Sequence, residues 1–498
     1  MNCTDNDKKE ENTEAKMLRL SELLERLDVL AVKNFSDSTV TSVEEDSERV
    51  TEGTVFVARR GVRYDGNDFI RDAVLRGACA VVTEDKDVVS LSVTTIISKN
   101  ATKTMAEIAK AIYGDVLCNM TIIGITGTKG KTSTAKILSE CILSMGKSLV
   151  TVGTLGAEIY AFAHETYSTE NTTPNSPFIY KILHRAYLLG AKIAVIEVSS
   201  QALAEHRVYG IPFSVCIFTN LSYDHIGIYE HKSFEEYMLA KRSLFTDYGA
   251  KTAIVNSDIE NSYNIAQGCA RVIKVGVDGD VVFRHIKDSL YDTEFMLDGN
   301  SFKLSVGGEF NGMNAAMALI AASEVLNVGV LAFSDCLKNI SIPGRYEVYS
   351  IGDVKIIIDF AHNGQSLKSI LKSVRTHTEG RIILVFGSVG ERCQSRRGEL
   401  AAVAEKFADI SVITSDNPGN ESPQAIADEI YSFFNDKRKA VVITERERAI
   451  AHALKLAKAH DAVLLVGKGQ ESYQLTERGR EFFSEREIIE RAGASKKR

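Results

Sequence analysis

The chain has 498 residues, 44% of them hydrophobic and 25% charged, and a net charge of −7. That length is too great for one core and predicts about three domains, in a composition typical of soluble globular proteins. The acidic balance argues against a broad nucleic-acid or anionic-membrane surface but leaves room for a local basic pocket that binds phosphates. No apolar stretch approaches the roughly 18 residues of a membrane helix.

Residues 1–16 are almost all polar and lack an apolar signal core, so they are expected to form a disordered tail. Leu18, Leu20, Leu23, Leu24 and Leu27 recur at helical spacing and start the fold near Met17. Thr54–Ala58 and Ala80–Val82 read as strands of a small α/β unit spanning 17–115. Next, the apolar run Thr121-Ile122-Ile123 leads into Gly124-Ile125-Thr126-Gly127-Thr128-Lys129-Gly130-Lys131-Thr132, a strand turning through a glycine-rich loop into a helix. Such a loop cradles phosphates. Its backbone N–H groups and the helix start face the anion, Lys131 adds a cation, and the Thr132 hydroxyl can ligand Mg²⁺. ATP or GTP is therefore the expected ligand, although Ile125 stands where the strict motif has its first glycine.

Strand runs then alternate with helical patterns at Ile193–Ile196, Val215–Phe218 and Ala253–Val255, which predicts a mainly parallel sheet over 116–340. Ser341-Ile342-Pro343-Gly344-Arg345 marks a second boundary. Beyond it, over 341–498, five more runs begin at Lys355, Ile382, Ile410, Ala440 and Ala462. Eight cysteines, scattered from Cys3 to Cys393 without C-x-x-C spacing, read as reduced thiols of a cytoplasmic protein.

Ligands of open α/β sheets bind beyond the carboxyl ends of the strands, so the polar residues that follow each run are the candidates. Glu197 follows Ile193–Ile196 and could share a Mg²⁺ with Thr132. His225, in Asn220…Asp224-His225, reads either as a second metal ligand or as a loop histidine. Lys241, taken alone, reads as a solvated helix lysine.

Taken together, Gly127–Thr132, Glu197-Val198-Ser199-Ser200, Asn220…His225, Ala240-Lys241, Asn311…Asn314, Pro343-Gly344-Arg345, Asp359-Phe360-Ala361-His362 and Gly467-Lys468-Gly469-Gln470-Glu471 resemble the Mur ligase family, in the family's order and from Met17 onward. Asp46-Ser47 and Asp65–Phe69 resemble the amino-terminal nucleotide-sugar domain of the branch that adds the third residue of the peptidoglycan stem peptide. The resemblance implies an α/β protein of three domains: a small UDP-substrate domain, a central phosphate-loop ATPase and a Rossmann-like carboxy-terminal domain. It also implies an ATP- and Mg²⁺-dependent ligase that phosphorylates the carboxylate of UDP-N-acetylmuramoyl-L-alanyl-D-glutamate and couples it to a free amino acid. The enzyme is expected to be a cytoplasmic monomer with no nucleic-acid or membrane partner.

Residue by residue, the resemblance places ATP on Gly127, Thr128, Lys129, Gly130, Lys131, Thr132, Asn311, Asn314, Arg345 and Asp359. It places one Mg²⁺ on Thr132 and Glu197 and another on His225 and on Lys241 as its carbamate. It assigns the UDP-substrate to Ser47, Thr172, Thr173, Ser199, Glu205 and Arg207, and the amino acid to Arg392, Asp416, Asn417, Gly467 and Glu471. Gln201, Glu205, Ile226-Gly227 and Asn363-Gly364-Gln365 depart from the usual residues, which leaves a paralogue with altered substrate open. Gly419 stands where diaminopimelate-adding members carry an arginine able to pair with a distal carboxylate. On that ground L-lysine or a similar diamine is the expected substrate, with meso-diaminopimelate as the alternative. A non-catalytic nucleotide switch, the reading from another class, would not need a second metal site.

Overall fold

The computed structural model describes residues 16–61, 64–88, 92–223, 226, 227, 231–260, 262–391 and 395–496. Three large sheets organise them. In the amino-terminal unit Val29–Lys33, Thr94–Ser98, Ala78–Thr83, Thr54–Ala58 and Ser42–Glu44 lie side by side in that order. The last four are parallel, and Val29–Lys33 is antiparallel at the edge. Helix Ala101–Tyr113 buries Thr104, Met105, Ile108, Ala109 and Ile112, a stripe at three- and four-residue spacing, and packs on the central helix Ser176–Leu188.

The leucine repeat needs correction. Leu18 belongs to a two-residue strand paired with Val40, and the helix covers only Leu20–Leu24. Leu18 and Leu20 reach the core by strand alternation, then Leu20 and Leu23 by helical spacing, so two geometries bury what looked like one periodicity.

The central sheet has eleven strands. Leu149–Gly153, Ile193–Glu197, Thr121–Thr126, Phe213–Phe218, Thr252–Asn256, Arg271–Gly276 and Val281–Asp288 run parallel in that order. Antiparallel strands close both edges: Gly156–Tyr160 and His164–Tyr167 on one, Thr293–Leu297 and Asn300–Leu304 on the other. Strand His164–Tyr167 has no fully buried residue and Asn300–Leu304 alternates exposed with buried ones, so neither shows the continuous apolar run by which the sequence pattern marks a strand. Helix Glu309–Leu326 buries every residue from Asn311 to Ala322 and packs against helix Lys131–Ser144, as an evenly apolar helix must. Among the described residues no single helix is long and apolar enough to cross a membrane.

The third sheet orders Ala440–Val442, Ile410–Ile413, Ile382–Phe386, Ala462–Val466 and Val354–Asp359 in parallel, then Glu347–Ile351 and Ser495–Lys496 antiparallel. All five strand runs read from the sequence lie in it. A separate hairpin pairs Tyr473–Thr476 with Gly479–Phe482. Arg446 fastens the strand ends of this domain: it donates to the carbonyls of Ser415 at 3.0 Å and Val466 at 2.6 Å and pairs with Glu485 at 2.8 Å. Arg446 is 0% and Glu485 1% exposed. Removing one partner of a buried pair strands the other charge, so Arg446→Leu is expected to lower stability by roughly 3–5 kcal/mol. Adding Glu485→Leu should return part of the loss, with chemical denaturation as the measurement.

Candidate active site

Strand Thr121–Thr126 ends in the glycine loop, and helix Lys131–Ser144 begins directly behind it. Gly130 sits at φ +83, and a Cβ there would come within 2.4 Å of Asn314 Oδ1, so the turn excludes side chains. The end of strand Phe213–Phe218 shapes the loop from the other side: Thr219 Oγ1 donates to the Lys129 carbonyl at 2.6 Å, and Lys129 N–H donates to Asn220 Oδ1 at 2.9 Å. Lys131 Nζ folds back onto the carbonyls of Gly127 at 2.8 Å and Thr128 at 3.2 Å.

Lys241 approaches the same loop. It lies on helix Phe234–Thr246, is 1% exposed, donates to the Gly127 carbonyl at 3.0 Å and sits 4.4 Å from the centre of the Tyr237 ring. This overturns the solvated-lysine reading. The helix turns residue 241 inward, onto the loop, instead of toward water.

Glu197 is not a solvated strand end either, being 3% exposed. Its Oε2 accepts from Thr132 Oγ1 at 2.8 Å and from Thr154 Oγ1 at 3.1 Å, and its Oε1 accepts from Thr154 N–H at 2.9 Å. Thr154 was missed in the sequence. It follows the strand Leu149–Gly153, where the strand-end rule would have found it.

Of the residues assigned to the UDP-substrate, Thr172, Thr173, Ser199, Glu205 and Arg207 gather around the end of strand Ile193–Glu197. Thr173 Oγ1 donates to the Glu197 carbonyl at 2.8 Å and accepts from Ser199 N–H at 2.9 Å, while Arg207 bonds the Thr173 carbonyl and Glu205 at 2.7 Å each. Burial pushes the Glu205 carboxyl up, but the Arg207 charge and hydrogen bonds, with Gln201, hold it below its usual range. Ser199 also caps helix Ser200–Ala204. Ser47 stands apart, buried in a short turn capped by Asp46 in the amino-terminal unit. The two units meet at Glu45, which contacts Arg59 and accepts from Asn175 Nδ2 at 2.8 Å.

A cleft of about 1280 Å³ separates the loop from the carboxy-terminal domain. Its lining includes Thr128 to Thr132, Glu197, Asn314, Arg345, Asp359, Asp416, Asn417, Gly467 and Glu471. Asn311 does not reach it: fully buried, it donates to the Gly307 carbonyl at 2.8 Å, which leaves Asn314 as the asparagine that faces the cleft. Arg345 lies over the Phe360 ring at 4.3 Å and feels the carboxylates of Asp359, Glu197 and Glu471. Burial raises the Asp359 carboxyl above its usual range, against the opposing pull of Arg345 and of N–H donation from Tyr346 at 2.9 Å and Ala361 at 2.8 Å.

On the far wall Lys468, fully buried, donates to Asn417 Oδ1 at 2.7 Å and Glu471 Oε2 at 2.8 Å, and Asn417 Nδ2 also donates to Glu471 at 2.9 Å. Asp416 Oδ1 is buried, lies 4.0 Å from Lys468 Nζ and accepts no hydrogen bond. Gly467 allows this packing, since a Cβ would sit 2.6 Å from Asp416 Oδ2. Lys468 lay inside a motif already noted, and its place two residues beyond the strand end Val466 is the signal that identifies it. His225 and Arg392 lie outside the described residues.

The chain matches the Mur ligase family, catalytic domain at residues 39–116, the Mur ligase middle domain at 125–322, and the Mur ligase, glutamate ligase domain at 344–469. It is 33% identical to a UDP-N-acetylmuramoyl-L-alanyl-D-glutamate--2,6-diaminopimelate ligase of Aquifex aeolicus over 92% of this chain and 94% of that one. The enzyme of the same name from Bacillus cereus is also 33% identical, over 95% of this chain and 98% of the relative. A solved structure of a ligase of that name superposes with a TM-score of 0.63 at 25% identity, covering 96% of this chain and 99% of the other. With three family segments in sequence and a fold shared over nearly its whole length, the chain belongs to the Mur ligase family of ATP-dependent ligases.

Proposed function

We propose that this protein joins a diamino acid to the D-glutamyl carboxylate of UDP-N-acetylmuramoyl-L-alanyl-D-glutamate at the expense of ATP, in the cytoplasm, within domains spanning 17–115, 116–340 and 341–498. One observation carries the reading. A single cleft has a phosphate loop with its Thr132–Glu197 pair on one wall and, on the other, the carboxylates of Asp416 and Glu471 beside Lys468, with one Asp416 oxygen that accepts no hydrogen bond.

The chemistry divides between the walls. An oxygen of the substrate carboxylate attacks the γ-phosphorus of ATP, the bond to the β–γ bridging oxygen breaks, and ADP leaves. The amine nitrogen then attacks the acyl carbon of the acyl phosphate and loses a proton, and the carbon–oxygen bond to phosphate breaks. Lys131 would turn from the loop carbonyls to the β- and γ-phosphates, and Arg345 would bring positive charge from the third domain. Thr132 and Glu197 offer adjacent hard oxygens, a donor set that suits Mg²⁺, and His225 with carbamylated Lys241 would form the second ligand set. Bound there, Mg²⁺ would offset the negative charge that builds up in both steps. Thr173, Ser199 and Arg207 would position the stem peptide, with Glu205 orienting the arginine. Asp416, Asn417 and Glu471, together with Arg392, would hold the amino acid.

The relatives are named for 2,6-diaminopimelate, and kinship along the entire chain weighs more than the single position Gly419. The preferred amino acid therefore moves from L-lysine to meso-diaminopimelate. In competition at equal concentrations, meso-diaminopimelate is expected to be incorporated at least about tenfold over L-lysine; dominant lysine incorporation would overturn this choice while leaving the ligase intact.

Lys131→Ala is expected to abolish ligation with little change in thermal stability, because the side chain is only half-buried and folds over a loop. Lys241→Ala should lose most activity, and short carboxylic acids should restore part of it by supplying the anionic oxygens of the carbamate. Normal turnover by Lys241→Ala would exclude the carbamate.

A further inference from the structure

Gly419 sits at φ +59, a left-handed conformation that side chains rarely adopt. Its N–H donates to the Leu475 carbonyl at 3.0 Å, which holds the turn after Asp416-Asn417-Pro418 against the hairpin Tyr473–Thr476 and Gly479–Phe482. Within that hairpin Leu475 pairs directly with Arg480. A guanidinium is thus carried one strand away from the position where glycine leaves no side-chain charge.

Arg480 also lines the cleft that contains Asp416, Asn417 and Glu471. Its guanidinium carbon lies 4.7 Å from the centre of the Tyr473 ring, and Lys468 Nζ lies 5.1 Å from the same centre. Tyr473 therefore sets Arg480 at the edge of the amino-acid pocket and limits its freedom by stacking. The cations of the pocket are otherwise committed: Lys468 is engaged by Asn417, Glu471 and, at 4.0 Å, Asp416, whereas Arg480 makes no ion pair among the described residues. Asp416 Oδ1 accepts no hydrogen bond and lies 4.0 Å from Lys468 Nζ, so it can still take one from an ammonium. An amino acid with a second carboxylate would meet a matching cation in Arg480; a simple diamine would not.

Resting on the diaminopimelate reading, we propose that Arg480 is a specificity-determining residue that binds the distal carboxylate of the incoming diamino acid, the contact that Gly419 cannot make. The planar guanidinium can accept that carboxylate by two parallel hydrogen bonds.

The test is phosphate release with UDP-N-acetylmuramoyl-L-alanyl-D-glutamate and either meso-diaminopimelate or L-lysine, for wild type, Arg480→Ala and Arg480→Lys. In Arg480→Ala the ratio of kcat/KM for meso-diaminopimelate over L-lysine is expected to fall about 10- to 100-fold, through a higher KM for meso-diaminopimelate. Arg480→Lys should keep part of the preference, since a point charge replaces the two-pronged contact. An unchanged ratio overturns the assignment, and so does an equal loss with both amino acids, which would mark Arg480 as hairpin packing. The wild-type enzyme separates the two ideas: if it already prefers L-lysine, the diaminopimelate reading fails and takes this one with it, whereas a wild-type preference for meso-diaminopimelate that survives Arg480→Ala overturns only the role of Arg480.

Discussion

The carbonyl of Gly127 accepts hydrogen bonds from two ammonium groups, Lys131 at 2.8 Å and Lys241 at 3.0 Å. Both side chains thus converge on one backbone oxygen of the loop, Lys131 from the start of the helix behind it and Lys241 from the buried face of helix Phe234–Thr246. Such an arrangement suits a loop that waits for a polyanion. A triphosphate entering the cradle would draw Lys131 away from the carbonyl, and a carbamate on Lys241 would replace the buried amine by an anion. The glycine turn, the inward face of helix Phe234–Thr246 and the Thr219–Asn220 strand end all hold this junction in place.

The second wall belongs to another sheet. Strands Val354–Asp359 and Ala462–Val466 deliver Asp359 and Gly467 from their carboxyl ends, as Ile193–Glu197 delivers Glu197 from the central sheet. The electrostatics already cross the gap: Arg345 responds to Glu197 and Asp359 responds to Lys129. A reaction that gathers phosphate charge between the walls is therefore served by cations from both domains, and domain closure would complete the site. Arg446 keeps the far wall rigid by joining the Ser415 and Val466 carbonyls, which flank Asp416 and Gly467.

Much of this was legible in the residue order. The phosphate loop, the strands that carry it, the five parallel strands of the third domain and the position of Glu197 follow from apolar runs with polar residues at their ends, because parallel strands buried on both faces must be apolar and must release their ligands at the carboxyl edge. Local chemistry sufficed there, since each signal lies within a few residues of the feature it predicts.

What only the tertiary structure decided concerns direction and distance. Lys241 could be solvated or buried by helical spacing alone; packing of its helix against the glycine loop buries it. Asn311 and Asn314 share one helix, yet the loop touches Asn314 while Asn311 turns to Gly307. Thr154 acquires meaning only when its strand lies beside Ile193–Glu197, which places its hydroxyl on the Glu197 carboxylate. Position 419, read alone, argued for loss of a charge, whereas the hairpin sets Arg480 across from Leu475, the residue that holds the Gly419 turn. A sequence states which groups are available; which of them share a few ångströms depends on strand order and helix facing, properties of the whole fold and not of any segment within it.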